Sequence, residues 1–161
     1  MKTTQQLHDL GQSLWLDNIT RTMLDDGTLA RYIAEDSITG LTSNPSIFDA
    51  AIGGGHAYDA GISAKTLAGL SGETLFIGLA LEDLRRAADL FRPVFDSTDQ
   101  VDGWVSMEVS PLLADDTVAS SEAAARIHVT RGVRKFQFRF RQNVDLQWKS
   151  HRSNLLPEHR Q

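Results

Sequence analysis

Short segments of alternating apolar and polar residues, separated by longer segments with helical spacing, constrain the fold of this chain more than any other feature. The alternating segments are QSLWLDN (12–18), SITGLTSN (37–44) and DGWVSMEVS (102–110). A period of two residues is typical of β-strands. Strands that alternate with helices form a parallel sheet with right-handed crossovers, so we predict an α/β fold with the order β-α-β-α-β-α.

The segments between the strands carry helical patterns. TRTMLDDGTLARYIAED (20–36) predicts two short helices interrupted at Gly27. GETLFIGLALEDLRRAADLF (72–91) predicts a long helix with a stop at Pro93 and an apolar stripe at helical spacing. The stripe consists of Phe76, Ala80, Leu84, Ala87 and Phe91.

Two further segments complete this pattern. DDTVASSEAAARIHV (115–129) predicts a helix with Thr117 as its N-cap. IGGGHAYDAG (52–61) is rich in glycine but lacks the Gly-Lys-Thr ending of a phosphate-binding P-loop, so we interpret it as a turn.

Composition excludes several classes of protein. The chain has no cysteine, which rules out disulfides, thiolate nucleophiles and cysteine zinc sites and fits a reducing compartment. Its five histidines show no metal-ligand spacing, so we expect no metal site. No apolar run approaches the roughly 18 residues that span a bilayer, and the N-terminus lacks a secretory signal. We therefore expect a cytoplasmic protein without membrane contact.

Polar residues at the strand ends are the candidate site. Asp17, Asn44 and Glu108 each lie near the carboxyl end of a predicted strand, on the face opposite the aliphatic residues. In parallel α/β folds the chemistry gathers at that end of the sheet. Two carboxylates and an amide suit proton transfer at a substrate with hydroxyl or carbonyl groups.

Each of these residues also has a structural interpretation. Asp17 could instead cap the following helix, as could Asn18 or Thr20. Asn44 precedes a proline and is well placed to cap a helix, which does not prevent substrate contact by the same amide. Glu108 stands among apolar strand residues, where a carboxylate is costly unless it is paired or lies at an open end, and this favours a functional role.

Three motifs identify a family. QSLWLDNITR, ITGLTSNPSIF and VDGWVSMEVSPLLADDT occur in the order and at the spacing found in bacterial transaldolase, so residues 1 to about 130 resemble its N-terminal part. The resemblance implies about three βα repeats of a (β/α)8 TIM barrel, here incomplete. It also implies transfer of a dihydroxyacetone unit between sugar phosphates in the pentose phosphate pathway, without a cofactor.

The resemblance also implies roles for the candidate residues. The family aspartate that matches Asp17 removes and returns a proton during carbon–carbon cleavage. The glutamate that matches Glu108 acts through a water in forming and breaking an imine. The asparagine that matches Asn44 holds the sugar unit, and Thr42 on the same strand is a further candidate for substrate binding.

The Schiff-base lysine of the family has no clear counterpart. It lies in an apolar strand and precedes Ile-Pro or Val-Pro, a pattern that occurs nowhere in this chain. The four lysines are Lys2, Lys65, Lys135 and Lys149. Lys135 is nearest the expected place but precedes the run FQFRFR, and without apolar neighbours a lysine stays protonated. We therefore expect Lys135 to be a weak surrogate and the chain to be inactive by itself.

Composition changes near residue 130. Residues 1–130 contain 8 Lys/Arg and 19 Asp/Glu, whereas residues 131–161 contain 8 and 2. An eight-stranded barrel needs roughly 200–250 residues. Our hypothesis is that the reading frame changes near residue 130 or that the chain is a truncated product. Gene sequencing tests the change of frame, which requires that another frame downstream of codon 130 encodes a strand with a Lys-Ile-Pro-like pattern. Unpaired strand edges would then favour aggregation, homo-oligomers or a partner chain.

The basic segment 131–161 has an alternative interpretation. RKFQFRFRQ (134–142) interleaves aromatic and cationic residues, which could stack on and neutralise single-stranded nucleic acid. No RNA-binding motif surrounds this run, so we do not expect a nucleic-acid partner. Binding of a labelled oligonucleotide at low salt tests that expectation.

Overall fold

The computed structural model describes residues 1–130 and 138–140. Lys135, Lys149 and the rest of the basic segment apart from residues 138–140 lie outside the described residues. The elements, in chain order, are α1 (Thr3–Asp9), β1 (Leu14–Asp17), α2 (Arg21–Asp25), α3 (Thr28–Asp36), β2 (Ile38–Ser43), α4 (Pro45–Gly53), α5 (Asp59–Leu67), α6 (Gly72–Ser97), β3 (Trp104–Met107), a 3-10 turn (Pro111–Leu113), α7 (Thr117–Thr130) and β4 (Phe138–Phe140).

The strands form one parallel sheet in the order β1-β2-β3-β4. All three predicted strands are present, and β4 adds a fourth. Leu16 pairs with Leu41, and Leu41 pairs with Val105. Leu41 and Val105 have no exposed surface, so this face of the sheet forms one side of the core. The prediction of an α/β fold with a parallel sheet is confirmed.

Helix α6 covers the apolar face of the sheet. Its predicted stripe is confirmed, because Ala80, Leu84, Ala87 and Phe91 are all fully buried. Phe76 is partly buried and packs edge-on against Phe48 of α4, with ring centroids 6.3 Å apart. Complete burial of a side chain such as leucine contributes about 1.5–3 kcal/mol to stability. The stripe is therefore the main packing contact between α6 and the sheet.

Two predicted helix boundaries are wrong. Helix α6 does not stop at Pro93 but continues to Ser97. Phe91 is fully buried and Val94 packs against the core, and this packing outweighs the backbone bond that a proline cannot donate. Helix α7 is capped by Asp116 rather than Thr117, because the Asp116 carboxylate accepts a hydrogen bond from the Ala119 amide at 2.8 Å.

The other connections follow the sequence more closely. The break between α2 and α3 falls at Gly27, whose φ of 76° lies in the left-handed region that glycine adopts easily. Helix α4 extends to Gly53 and α5 begins at Asp59, so the glycine-rich turn is shorter than predicted. Helix α1 was not predicted and has no buried residue. Within the part of the chain that the structure describes, no helix has the length and apolar character needed to cross a bilayer.

Candidate functional site

The carboxyl edge of the sheet brings the predicted site residues together. Asp17 is the last residue of β1, while Asn44 and Glu108 directly follow β2 and β3. Asp17 pairs with Thr42, and Thr42 pairs with Ser106. Because neighbouring strands lie about 4.8 Å apart, these three paired positions form one row about 10 Å long.

Asn44 and Glu108 extend this edge by one further row. The Asn44 backbone is extended, with φ −137° and ψ 167°. The Glu108 amide donates a hydrogen bond to the Ser43 carbonyl at 3.3 Å, so strand pairing continues past the end of β3. Alternation along each strand therefore places Asn44 on the face of Thr42, and Glu108 on the face of Ser106. Asp17 is exposed, and Thr42, Asn44 and Glu108 are half-buried.

Hydrogen bonds at the N-termini of α2 and α4 show which of these residues act as helix caps. Asn44 caps α4, since its Oδ1 accepts a hydrogen bond from the Ile47 amide at 3.0 Å. Capping uses the amide oxygen and leaves the Asn44 NH₂ group to donate elsewhere. Helix α2 is capped by Thr20, whose hydroxyl accepts from the Met23 amide at 3.1 Å. Asp17 is therefore not the cap of α2.

A tryptophan lies beneath the polar rows. A Cβ atom added to Gly40 would lie 2.5 Å from Cε2 of Trp15, so the indole ring rests directly on the Gly40 backbone. Trp15 and Gly40 each precede a member of the first polar row, Asp17 and Thr42, by two residues and share its face. The indole thus forms an apolar floor for the site, and only glycine leaves room for it on β2.

Both lysines among the described residues are held in ion pairs. The Lys2 amine pairs with Asp36 at 2.8 Å, just before the amino end of β2 and therefore at the opposite edge of the sheet. The Lys65 amine pairs with Glu82 of α6 at 2.6 Å. The carboxyl edge thus offers acids, an amide and hydroxyls, which suit binding of a polyhydroxylated molecule and proton transfer at its oxygen atoms. Among the residues described, no group of three or more His, Asp or Glu could hold a metal ion.

A buried polar cluster beside the site was not predicted from the sequence. The Arg21 Nε donates to Asp83 Oδ1 at 2.9 Å, and the Tyr58 hydroxyl donates to Asp83 Oδ2 at 2.8 Å. Glu82 accepts from Arg21 Nη2 at 3.0 Å and from Lys65. A signal was present, because Asp83 lies three residues after Ala80 in the apolar stripe of α6.

Burial and charge act in opposite directions within this cluster. Burial raises the pKa of the Asp83 carboxyl, although Tyr58 and Arg21 act to lower it. Burial also raises the pKa of the Tyr58 phenol, and its hydrogen bond to the Asp83 carboxylate raises it further. For Glu82 the balance is reversed: burial raises the pKa of the carboxyl, but the ion pairs with Lys65 and Arg21 lower that pKa by more.

Comparison with known proteins gives one consistent result. The family model for transaldolase/fructose-6-phosphate aldolase matches residues 14–144, which includes all four strands. Transaldolase 2 of Nostoc punctiforme is 41% identical over 121 residues, 75% of this chain and 32% of that protein. The transaldolase of Thermobifida fusca is 47% identical over 113 residues, 70% of this chain and 31% of that protein.

The transaldolase of an Arthrobacter species is 45% identical over 125 residues, 78% of this chain and 34% of that protein. The chain therefore spans about a third of the length of these relatives. The family match covers most of the chain, and it includes each of the motifs on which the resemblance rests apart from two residues at the start of the first. The resemblance is confirmed, and this chain belongs to the transaldolase/fructose-6-phosphate aldolase family.

Proposed function

We propose that this chain carries the proton-transfer and hydroxyl-binding part of a transaldolase-type site, built on an incomplete (β/α)8 barrel. The reaction moves a dihydroxyacetone unit between sugar phosphates. One observation carries the proposal: Asp17, Thr42, Asn44 and Glu108 lie together at the carboxyl edge of a parallel sheet. Family membership and relatives named transaldolase support it.

Each residue has a role that its chemistry allows. The Asp17 carboxylate accepts the proton of a substrate hydroxyl as the adjacent carbon–carbon bond breaks, and returns it when the new bond forms. Glu108 exchanges a proton with a water during formation and hydrolysis of the imine. The Asn44 NH₂ group and the Thr42 hydroxyl donate hydrogen bonds to the hydroxyl groups of the dihydroxyacetone unit.

The imine itself needs a free amine, and both lysines among the described residues are engaged in ion pairs. Lys2 pairs with Asp36 at the opposite edge of the sheet, and Lys65 pairs with Glu82 of α6. A protonated lysine in an ion pair is a poor nucleophile. We therefore propose that the 161-residue polypeptide, by itself, binds a sugar phosphate without forming a covalent adduct.

Asn44 allows a sharp test of this proposal, because aspartate keeps the capping oxygen and replaces the NH₂ donor by a negatively charged oxygen that can only accept. In Asn44→Asp we expect the affinity for fructose 6-phosphate to fall about tenfold or more, because one hydrogen bond to the sugar is lost. The stability of the fold should stay near that of the wild type, because Asp and Asn cap helices equally well. Asn44→Ala is the control, and we expect it to lose both affinity and about 1 kcal/mol of stability.

The measurement is an NMR titration of the isotope-labelled chain with fructose 6-phosphate. The proposal predicts chemical-shift changes at Asp17, Thr42, Asn44 and Glu108. Unchanged resonances at all four residues, or equal affinity of Asn44→Asp and wild type, would contradict it.

A second candidate function is a non-catalytic partial barrel that completes its sheet with a partner chain. Among the described strands, β1 pairs only with β2, and no described strand pairs with its other edge. Such an edge is a template for another strand. A stable, monodisperse complex with the remaining two-thirds of the Thermobifida fusca transaldolase would support this candidate, and failure to associate by analytical ultracentrifugation would exclude it for that partner.

A further inference from the structure

The turn after β1 is fixed by residues that are distant in sequence. Arg21 begins α2, and the first amides of a helix have no acceptor within the helix. The Arg21 amide instead donates to the Tyr58 hydroxyl at 3.0 Å, across 37 positions of sequence. Within the same turn, Ile19 is buried in the core. The short segment that follows Asp17 is therefore held at several consecutive residues.

Hydrogen bonding fixes the orientation of the Tyr58 hydroxyl completely. Its proton is donated to Asp83 Oδ2, and its oxygen accepts from the Arg21 amide. The other oxygen of Asp83 accepts from the Arg21 side chain, whose guanidinium carbon lies 4.6 Å from the centre of the Tyr58 ring. Tyr58 is 1% exposed and Asp83 is 0% exposed, so water does not compete for these bonds.

The cluster joins three helices to one turn. Arg21 contacts Asp83 and Glu82 on α6, and Glu82 also accepts from Lys65 on α5. A buried ion pair contributes little net stability compared with well-packed apolar residues, since desolvation offsets most of the attraction. What such a cluster supplies is a defined geometry, because Arg21 bridges two carboxylates and Asp83 accepts from two donors, and only one arrangement satisfies all of these bonds.

We propose that Tyr58 and Asp83 are positioning residues for Asp17. Acting through the backbone and side chain of Arg21, they set the direction in which the chain leaves β1 and so the place of the Asp17 carboxylate at the sheet edge. The positioning of the turn is independent of any reaction. Its importance for substrate rests on the proposed function.

Amide hydrogen exchange of the full chain tests the positioning directly. In Tyr58→Phe the Arg21 amide loses its acceptor, so we expect it to exchange at least about tenfold faster, while the Leu84 amide in the core of α6 changes much less. Tyr32→Phe is the matched control, because Tyr32 is the other tyrosine of the chain and is half-buried beside the Arg31 side chain. It should leave the Arg21 amide unchanged.

Two results would overturn the positioning role. One is unchanged exchange of Arg21 in Tyr58→Phe, and the other is equal acceleration of Arg21 and Leu84, which would mean global destabilisation only. If Tyr58→Phe does not fold, the wild-type chain provides the test. Its amide exchange is measured at increasing urea, and the Arg21 amide should then exchange only through global unfolding, as the Leu84 amide does. A wild-type Arg21 amide that exchanges far faster than Leu84 contradicts the proposal.

A ligand measurement separates this inference from the proposed function. In Tyr58→Phe we expect the chemical-shift change that fructose 6-phosphate causes at Asp17 to become severalfold smaller. The change at Thr42 on β2 should remain. A wild-type chain that binds no sugar phosphate would overturn the proposed function, and the exchange data would then decide the positioning alone. A wild-type chemical-shift change at Asp17, in a variant whose Arg21 amide exchanges faster, would show that the turn does not affect substrate binding. That result would overturn this part of the proposal.

Discussion

Asp83 is a fully buried carboxylate next to the apolar stripe of α6, and it forms an ion pair with Arg21. Its two oxygens accept hydrogen bonds from Arg21 and Tyr58, so the charge is compensated rather than isolated. Removal of one partner from such a cluster leaves another partner buried without compensation, which is costly. At the scale of single residues, the cluster should therefore be sensitive to pH through its own titratable groups.

Tyr58 gives a pH dependence with a defined sign. Its folded pKa is raised above the ordinary value of about 10, so above that pH the unfolded chain releases a proton that the folded chain retains. The stability contribution is fully present below pH 10 and is lost as the pH rises further. Between pH 9 and pH 11 we expect the wild type to lose about 1.4 kcal/mol more than Tyr58→Phe.

The measurement is the free energy of unfolding in urea at each pH. Tyr32→Phe should retain the wild-type slope, because Tyr32 takes no part in the buried cluster. Parallel curves for wild type and Tyr58→Phe would show that the phenol titrates normally in the folded chain and would contradict the structure.

At the scale of elements, the contact between β1 and β2 depends on one glycine. Because the Trp15 ring lies where a Gly40 side chain would be, Gly40→Ala must displace the indole or spread the strands. We expect a loss of about 1–3 kcal/mol, the usual cost of overpacking, together with a change in tryptophan fluorescence. Urea unfolding followed by fluorescence measures both.

Gly53→Ala is the control for this prediction. Gly53 ends α4, and no atom lies within 4 Å of an added Cβ there. Because alanine has the higher helix propensity, we expect a neutral change or a gain of up to about 1 kcal/mol. Equal effects of the two substitutions would mean that the indole does not rest on Gly40.

The elements show what the sequence determines locally. Alternation identified β1, β2 and β3 because each presents one face to the core. The stop at Pro93 failed because Val94, which follows the proline, packs against the core, and α6 continues one turn further. Helix α1 lacks a buried face and therefore gives no periodic signal.

The sequence likewise predicted only part of the candidate site. Asp17, Asn44 and Glu108 were found at strand ends, since the carboxyl ends of parallel strands meet at one edge. The ion pair between Arg21 and Asp83 joins residues 62 positions apart, and only the packing of α6 against α2 brings them together. No local pattern could predict that contact, although a carboxylate next to an apolar stripe indicated that a partner was needed.

At the scale of the whole molecule, the proposed activity depends on which parts of a transaldolase-type site this polypeptide contains. It has the acids and the amide of the carboxyl edge, and it spans about a third of the length of its relatives. Its described strands form an open sheet rather than a closed barrel. We propose that the edge binds the sugar phosphate while the amine for the imine is supplied from elsewhere.

Trapping with borohydride tests this claim most directly. The 161-residue chain is incubated with fructose 6-phosphate, reduced, digested and analysed by mass spectrometry, alone and with the remaining two-thirds of the Thermobifida fusca transaldolase. We predict no adduct on any lysine of this chain in either sample. A three-carbon adduct on Lys2, Lys65, Lys135 or Lys149 would contradict the account.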